Sequence, residues 1–178
     1  ARISRREPPT TMRTLLLASN SDAVLRGDLR IHGRHVAEHR IAWVTTATKG
    51  ARDRTHLDRL RAAIREKGID FVEIDLEEMT SDDFRASLRG RDALWMESGN
   101  TFYLLKAIQA SGLGATIRGL VTDGLLYIGT SAGAYVACPT IEMADWGPDV
   151  KPRFGLTDLR ALGQKAAHVA RQGELAVP

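Results

Sequence analysis

Cysteine is nearly absent: Cys138 is the only one in the 178 residues. One cysteine excludes an intrachain disulfide and the usual cysteine-rich zinc clusters, and it suits a reducing compartment, so a cytoplasmic setting is expected. Charge of one sign is scarce as well, since 25 Lys+Arg against 22 Asp+Glu leave a net charge of +3. No basic block carries interleaved aromatics, which sets nucleic acid aside as a partner. No membrane association is expected either. The apolar run that follows Met12 is too brief for a signal core or a membrane span, and it ends at once in Ser19-Asn20-Ser21-Asp22. It reads as a first buried strand.

What remains is ordinary for a globular chain, 43% hydrophobic and 26% charged. The length suits one domain with a sizeable core. Residues 1–11, with Arg2, Arg5, Arg6, Pro8 and Pro9, read as a disordered extension, and the domain is expected over 12–178.

Strand-length apolar runs occur at 15–18, 41–45, 71–74, 93–96 and 125–128, each bounded by polar or glycine-containing turns. Helix-length segments lie between them. Over 55–67, Leu57, Leu60, Ala63 and Ile64 form one apolar stripe that Gly68 stops. A second helix starts at Ser81 with Thr80 or Ser81 as its cap, a third covers 101–110, and a fourth begins near Thr116. Strands alternating with helices predict right-handed crossovers and an α/β, doubly wound, mostly parallel sheet with helices on both faces, a three-layer flavodoxin-like arrangement. Sites in such sheets lie beyond the carboxyl ends of the strands.

Two strand ends carry chemistry. The run Leu125–Ile128 enters Gly129-Thr-Ser131-Ala-Gly133, the strand–turn–helix setting of a nucleophile elbow. A sharp turn lifts the serine above the sheet edge, and the flanking glycines let strand and helix approach closely. The N–H of Ala132 can then face a developing oxyanion. The bland alternative is that Ser131 only caps a helix. At the second strand end, Ser98-Gly99-Asn100-Thr101 offers the Gly99 N–H as a second oxyanion donor. Asn100 or Thr101 can cap the next helix, and both are candidate substrate contacts.

The segments Gly99–Leu105, Tyr127–Ala134 and Ala137–Ile141 together resemble the dipeptidase E (aspartyl dipeptidase) family of serine peptidases. Cyanophycinase resembles the chain more distantly, with a similar elbow. The resemblance covers roughly 12–141. It implies a class I glutamine amidotransferase-like fold, no metal or other cofactor, and a Ser-His-acid mechanism that cleaves small peptides after an N-terminal aspartate. By motif position Ser131 is the nucleophile, and Gly99 with Ala132 supplies the oxyanion hole. His168, the only histidine after Ser131, stands at the distance of the family's base, and Asp145 stands where a family acid is expected, with Glu142 and Asp149 as rivals. One departure is Ser98 in place of a family glycine, preceded by Glu97, a charge that would be unfavourable if it pointed inward near an acidic substrate.

The remaining histidines, His32, His35, His39 and His56, are expected on the surface. The stretch from Asp158 to Arg171 reads as a weak helix broken by Gly163. Nothing after Ile141 is apolar enough for another central strand, so the domain is expected to be incomplete at its C-terminal end, leaving an open sheet edge that favours a homo-oligomer. The leading expectation is a serine peptidase acting on small peptides. The alternatives are a cyanophycinase-like acyl hydrolase, or an inactive relative that serves as a binding or assembly module.

Overall fold

The computed structural model describes residues 13–26, 29–51, 55–145 and 153–164, and the backbone of 168–170. The expected extension at 1–11 lies outside these residues.

The pattern of short apolar runs folds into a six-stranded sheet of β1 (Thr14–Ala18), β4 (Ile41–Val44), β5 (Phe71–Ile74), β6 (Ala93–Met96), β7 (Leu126–Thr130) and β8 (His168–Ala170). Its spatial order is β5-β4-β6-β7-β1-β8, and every neighbouring pair is parallel. Growth runs from β1 to β4 and out to β5, then turns back through β6 and β7 to β8, so its direction reverses after β5, as a doubly wound fold requires. A small antiparallel hairpin of β2 (Arg30–Ile31) and β3 (Arg34–His35) stands apart from it.

Alternation along the strands builds two cores. Ala42, Val44, Leu94, Met96 and Tyr127 pack toward one face, beneath α3 (Ser81–Ser87), α4 (Thr101–Ala110), α5 (Gly114–Thr122) and α6 (Ala132–Ala137). Ile41, Trp43, Ala93, Trp95 and Ile128 pack toward the other, beneath α1 (Asp22–Leu25) and α2 (Thr55–Glu66). The central strands β4, β6 and β7 are buried along their whole length, which is why they read as continuous apolar runs. Gly68, at φ 67°, ends α2, and Thr80 Oγ1 caps α3 by accepting from Asp83 N–H at 3.2 Å.

Two expectations are corrected. The histidines at 32, 35 and 39 belong to the β2–β3 hairpin and the turn after it; His32 is exposed as expected, but His39 is not on the surface. His32 and Gly33 both hold positive φ at its tip (53° and 76°), and His39 is only 4% exposed. Nor is the segment after Asp158 helical. The N–H groups of Ala161, Leu162, Gly163 and Gln164 donate to Pro139, Val136, Cys138 and Ala137 respectively, so the chain satisfies the carbonyls at the end of α6 and just after it. Leu162, 1% exposed, is drawn into the core by this clasp. The chain then supplies β8, an edge strand beside β1 that the sparse apolar pattern did not announce.

Candidate active site

The register Met96↔Gly129 sets the ends of β6 and β7 side by side, and Ala18↔Thr130 brings the end of β1 next to them. Three turns therefore meet at one point of the carboxyl edge of the sheet.

The turn after β7 is an elbow. Ser131 has φ 46° and ψ −104°, a conformation that a residue with a side chain rarely adopts. Backbone bonds hold it there: Ser131 N–H donates to Ala18 O at 2.9 Å, and its carbonyl accepts from Ala134 and Tyr135. The glycines around it are required by packing. A Cβ on Gly129 would lie 2.7 Å from Gly133 O, and one on Gly133 would lie 2.0 Å from Met96 O. Tyr127 OH donates to Gly133 O at 2.7 Å, and burial holds its phenol well above the ordinary range, so it remains a donor. Ser131 makes no side-chain capping bond to α6. Its partly exposed hydroxyl is therefore held by the turn without serving the helix. Ala132 begins α6, so its N–H is one of the amides that a helix leaves without an internal partner.

The turn after β6 is shaped by close approach. Gly99 has φ 147°, and a Cβ there would lie 2.3 Å from Ala47 O. Its neighbours' amides are engaged, Ser98 N–H by Glu97 Oε1 at 2.7 Å and Asn100 N–H by Ala47 O at 2.9 Å. Asn100 Oδ1 caps α4 by accepting from Tyr103 N–H at 3.0 Å. Asn100 and Thr101 are 3% and 1% exposed, so the two residues expected to contact substrate are buried supports of the turn.

Glu97 points inward, 1% exposed, the orientation that sequence reasoning counted as unfavourable. Hydrogen bonds satisfy it. Ser21 Oγ donates to Oε1 at 2.5 Å, Trp43 Nε1 to Oε2 at 2.9 Å, and Thr130 Oγ1 lies 3.3 Å from Oε1. With Ser98 N–H this surrounds a buried carboxylate with donors, the condition under which its burial is tolerated.

The expected triad partners are placed differently. Asp145 closes a short 3₁₀ turn (Glu142–Asp145) and is ion-paired with Arg153, whose guanidinium lies 5.6 Å from the Phe102 ring centre. This pairing also occupies Arg153. Asp149 falls outside the described residues. His168 starts β8 opposite Thr14, the first residue of β1, whereas Thr130 lies opposite Ala18, the last. Four strand residues separate those levels, about 13 Å of sheet. The His168 backbone is therefore at the amino end of the strands and the elbow at the carboxyl end; its side chain lies outside the described residues.

His56, expected on the surface, is half-buried at the start of α2. It lines a groove of about 430 Å³ with Asn20, Ser21, Asp22, Arg59 and Ser98, and its Nε2 is buried without a hydrogen-bond partner. Burial raises the Cys138 thiol pKa, and its Sγ lies 3.7 Å from Ala134 O, in line with a packing role. Among the described residues no cluster of His, Cys, Asp and Glu could hold a metal ion, and no helix is long and apolar enough to cross a membrane.

Comparison with known proteins identifies a family. The model of Peptidase family S51 matches residues 15–166. An uncharacterised peptidase of Pasteurella multocida is 28% identical over 151 residues, which cover 85% of this chain and 72% of that protein. Peptidase E of a Nostoc species is 30% identical over 113 residues, 64% of this chain and 45% of its own length. A crystal structure of a candidate peptidase E of Listeria monocytogenes superposes with a TM-score of 0.70 at 25% identity, covering 85% of this chain and 74% of that one. The chain thus spans less than half of the Nostoc protein and under three quarters of the others.

Proposed function

The chain belongs to peptidase family S51, and from that premise we propose that it is a serine exopeptidase whose nucleophile is Ser131. The observation that carries the reading is the conformation of Ser131, strained at φ 46° and ψ −104° with a hydroxyl that caps nothing. Strain of this kind is retained where the surroundings over-determine it, and such positions cluster at active sites. In the proposed reaction Ser131 Oγ adds to the scissile carbonyl and passes its proton to a base. The oxyanion accepts from the N–H groups of Gly99 and Ala132, and the intermediate collapses to an acyl-enzyme as the protonated amine departs. Water then releases the acid.

The substrates we propose are small peptides, dipeptides beginning with aspartate foremost. Support comes from the paired motifs at 99–105 and 127–134 and from relatives named peptidase E. The part-buried thiol of Cys138 suits a cytoplasmic site of action.

A second reading, a non-catalytic relative acting as a binding module, is favoured by one observation, the start of β8 at the level of Thr14. Without an imidazole at the elbow the hydroxyl would not be activated. Release of nitroaniline from aspartyl-p-nitroanilide, with parallel labelling by a fluorophosphonate, separates the two. Wild-type protein should turn over and be labelled, and Ser131→Ala should lose nearly all of both. A folded wild-type chain that does neither would overturn the peptidase reading in favour of the module.

A further inference from the structure

We propose that Glu97 is a positioning residue for the oxyanion turn, a role that rests on the reading of Ser131 as nucleophile and Gly99 N–H as oxyanion donor. Among the described residues, three of the four amides at 97–100 are committed. Glu97 N–H donates to Val44 O at 3.0 Å, Ser98 N–H to Glu97 Oε1 at 2.7 Å, and Asn100 N–H to Ala47 O at 2.9 Å. Gly99 N–H alone is left over. The carboxylate turns the preceding amide inward, and the Ala47 carbonyl pins the following one. The peptide unit between them has one orientation left, and Gly99 can hold it because no side chain competes with Ala47 for the space.

The same carboxylate reaches the other two turns of the site. Ser21 Oγ, after β1, and Thr130 Oγ1, next to the nucleophile, both approach Glu97 Oε1, at 2.5 and 3.3 Å. Trp43 Nε1 holds Oε2 at 2.9 Å, and Trp95 Nε1 holds Thr130 Oγ1 at 3.1 Å. A carboxylate accepts from Ser21, Ser98 and Trp43 at once, whereas an amide presents two protons to at least one of them. The acceptor at Oε1 is therefore what keeps Ser98 N–H facing inward.

The test compares wild type with Glu97→Gln and Glu97→Ala in the whole chain. Oxyanion donors act on the transition state, and removing one typically costs about a hundredfold or more in kcat. Misorienting one in Glu97→Gln should lower kcat by about tenfold or more, with KM within about twofold, in protein that still unfolds cooperatively. Amide hydrogen exchange provides the readout independent of turnover: in wild type Ser98 should be protected and Gly99 should exchange fast, and in Glu97→Gln the protection at Ser98 should be lost. A folded Glu97→Gln with wild-type kcat would overturn the proposal, as would equal exchange at Ser98 and Gly99 in wild type. If wild type itself neither turns over nor is labelled at Ser131, the nucleophile reading fails and the catalytic role of Glu97 fails with it. The exchange data would then decide only whether the carboxylate orients the turn.

Discussion

Ser131 holds a side chain at φ 46° and ψ −104°, where glycine would be at ease. Such a conformation costs about 1–3 kcal/mol, and the bonds to Ala18 and from Ala134 and Tyr135 must offset it. Two substitutions separate the side chain's chemistry from its strain. Ser131→Ala removes the hydroxyl and keeps the strain; Ser131→Gly removes both. Allowing for glycine's greater unfolded-state entropy, Ser131→Gly should be more stable than Ser131→Ala by about 1 kcal/mol in urea unfolding, with both inactive. Equal stabilities would mean that the elbow is relaxed. The glycines on either side are a different matter, because Gly129 and Gly133 are required by contact with Gly133 O and Met96 O, not by their φ. The sequence announced these positions plainly. Glu97 stood out only as a charge that would be unfavourable pointing inward, because Trp43, Ser21 and Thr130, which converge on it, are far from it in sequence.

At the scale of elements, burial on both faces made the central strands legible as continuous apolar runs, and caps such as Thr80 and stops such as Gly68 made the helices legible. The hairpin of β2 and β3 was not, because two-residue strands leave no periodicity to read. Its consequence is the burial of His39 against the sheet. Burial lowers the His39 pKa below its usual 6.5, and Asp92, whose Oδ1 is 3.4 Å away without hydrogen-bond geometry, opposes that shift without reversing it. The unfolded chain therefore binds a proton near pH 6.5 that the folded chain resists. Stability from this group is complete above 6.5 and falls as pH drops below it, with a limiting slope of about 1.4 kcal/mol per pH unit. Unfolding free energies from urea at pH 7.5 and 5.5 should show the decline, and His39→Gln should flatten it. Asp92, whose pKa is lowered despite a burial cost, chiefly by Arg34 and the Arg40 N–H, loses its contribution at lower pH, below about 4, and leaves this window clear.

Across the whole molecule, a parallel sheet sorts residues by level. Side chains after the carboxyl ends of strands share one edge, and those at the amino ends share the other. The order β5-β4-β6-β7-β1-β8 places the turns after β1, β6 and β7 together, which is why Ser21, Glu97, Gly99 and Ser131 converge although 76 residues separate Ser21 from Glu97. Linear spacing from Ser131 pointed to His168 as a base, but spacing says nothing of level, and the segment between is spent on clasping α6 before it enters β8 beside Thr14. A residue at the amino level is expected to serve pairing of the edge strand and not proton transfer. His168→Ala should accordingly leave fluorophosphonate labelling of Ser131 within about twofold of wild type, because serine activation depends on an imidazole within hydrogen-bond reach and the His168 backbone stands at the other end of the strands. Loss of labelling in folded His168→Ala, with a circular dichroism spectrum and unfolding midpoint like those of wild type, would instead mean that the imidazole reaches the elbow and that β8 pairs with β1 in a register shifted toward Ala18.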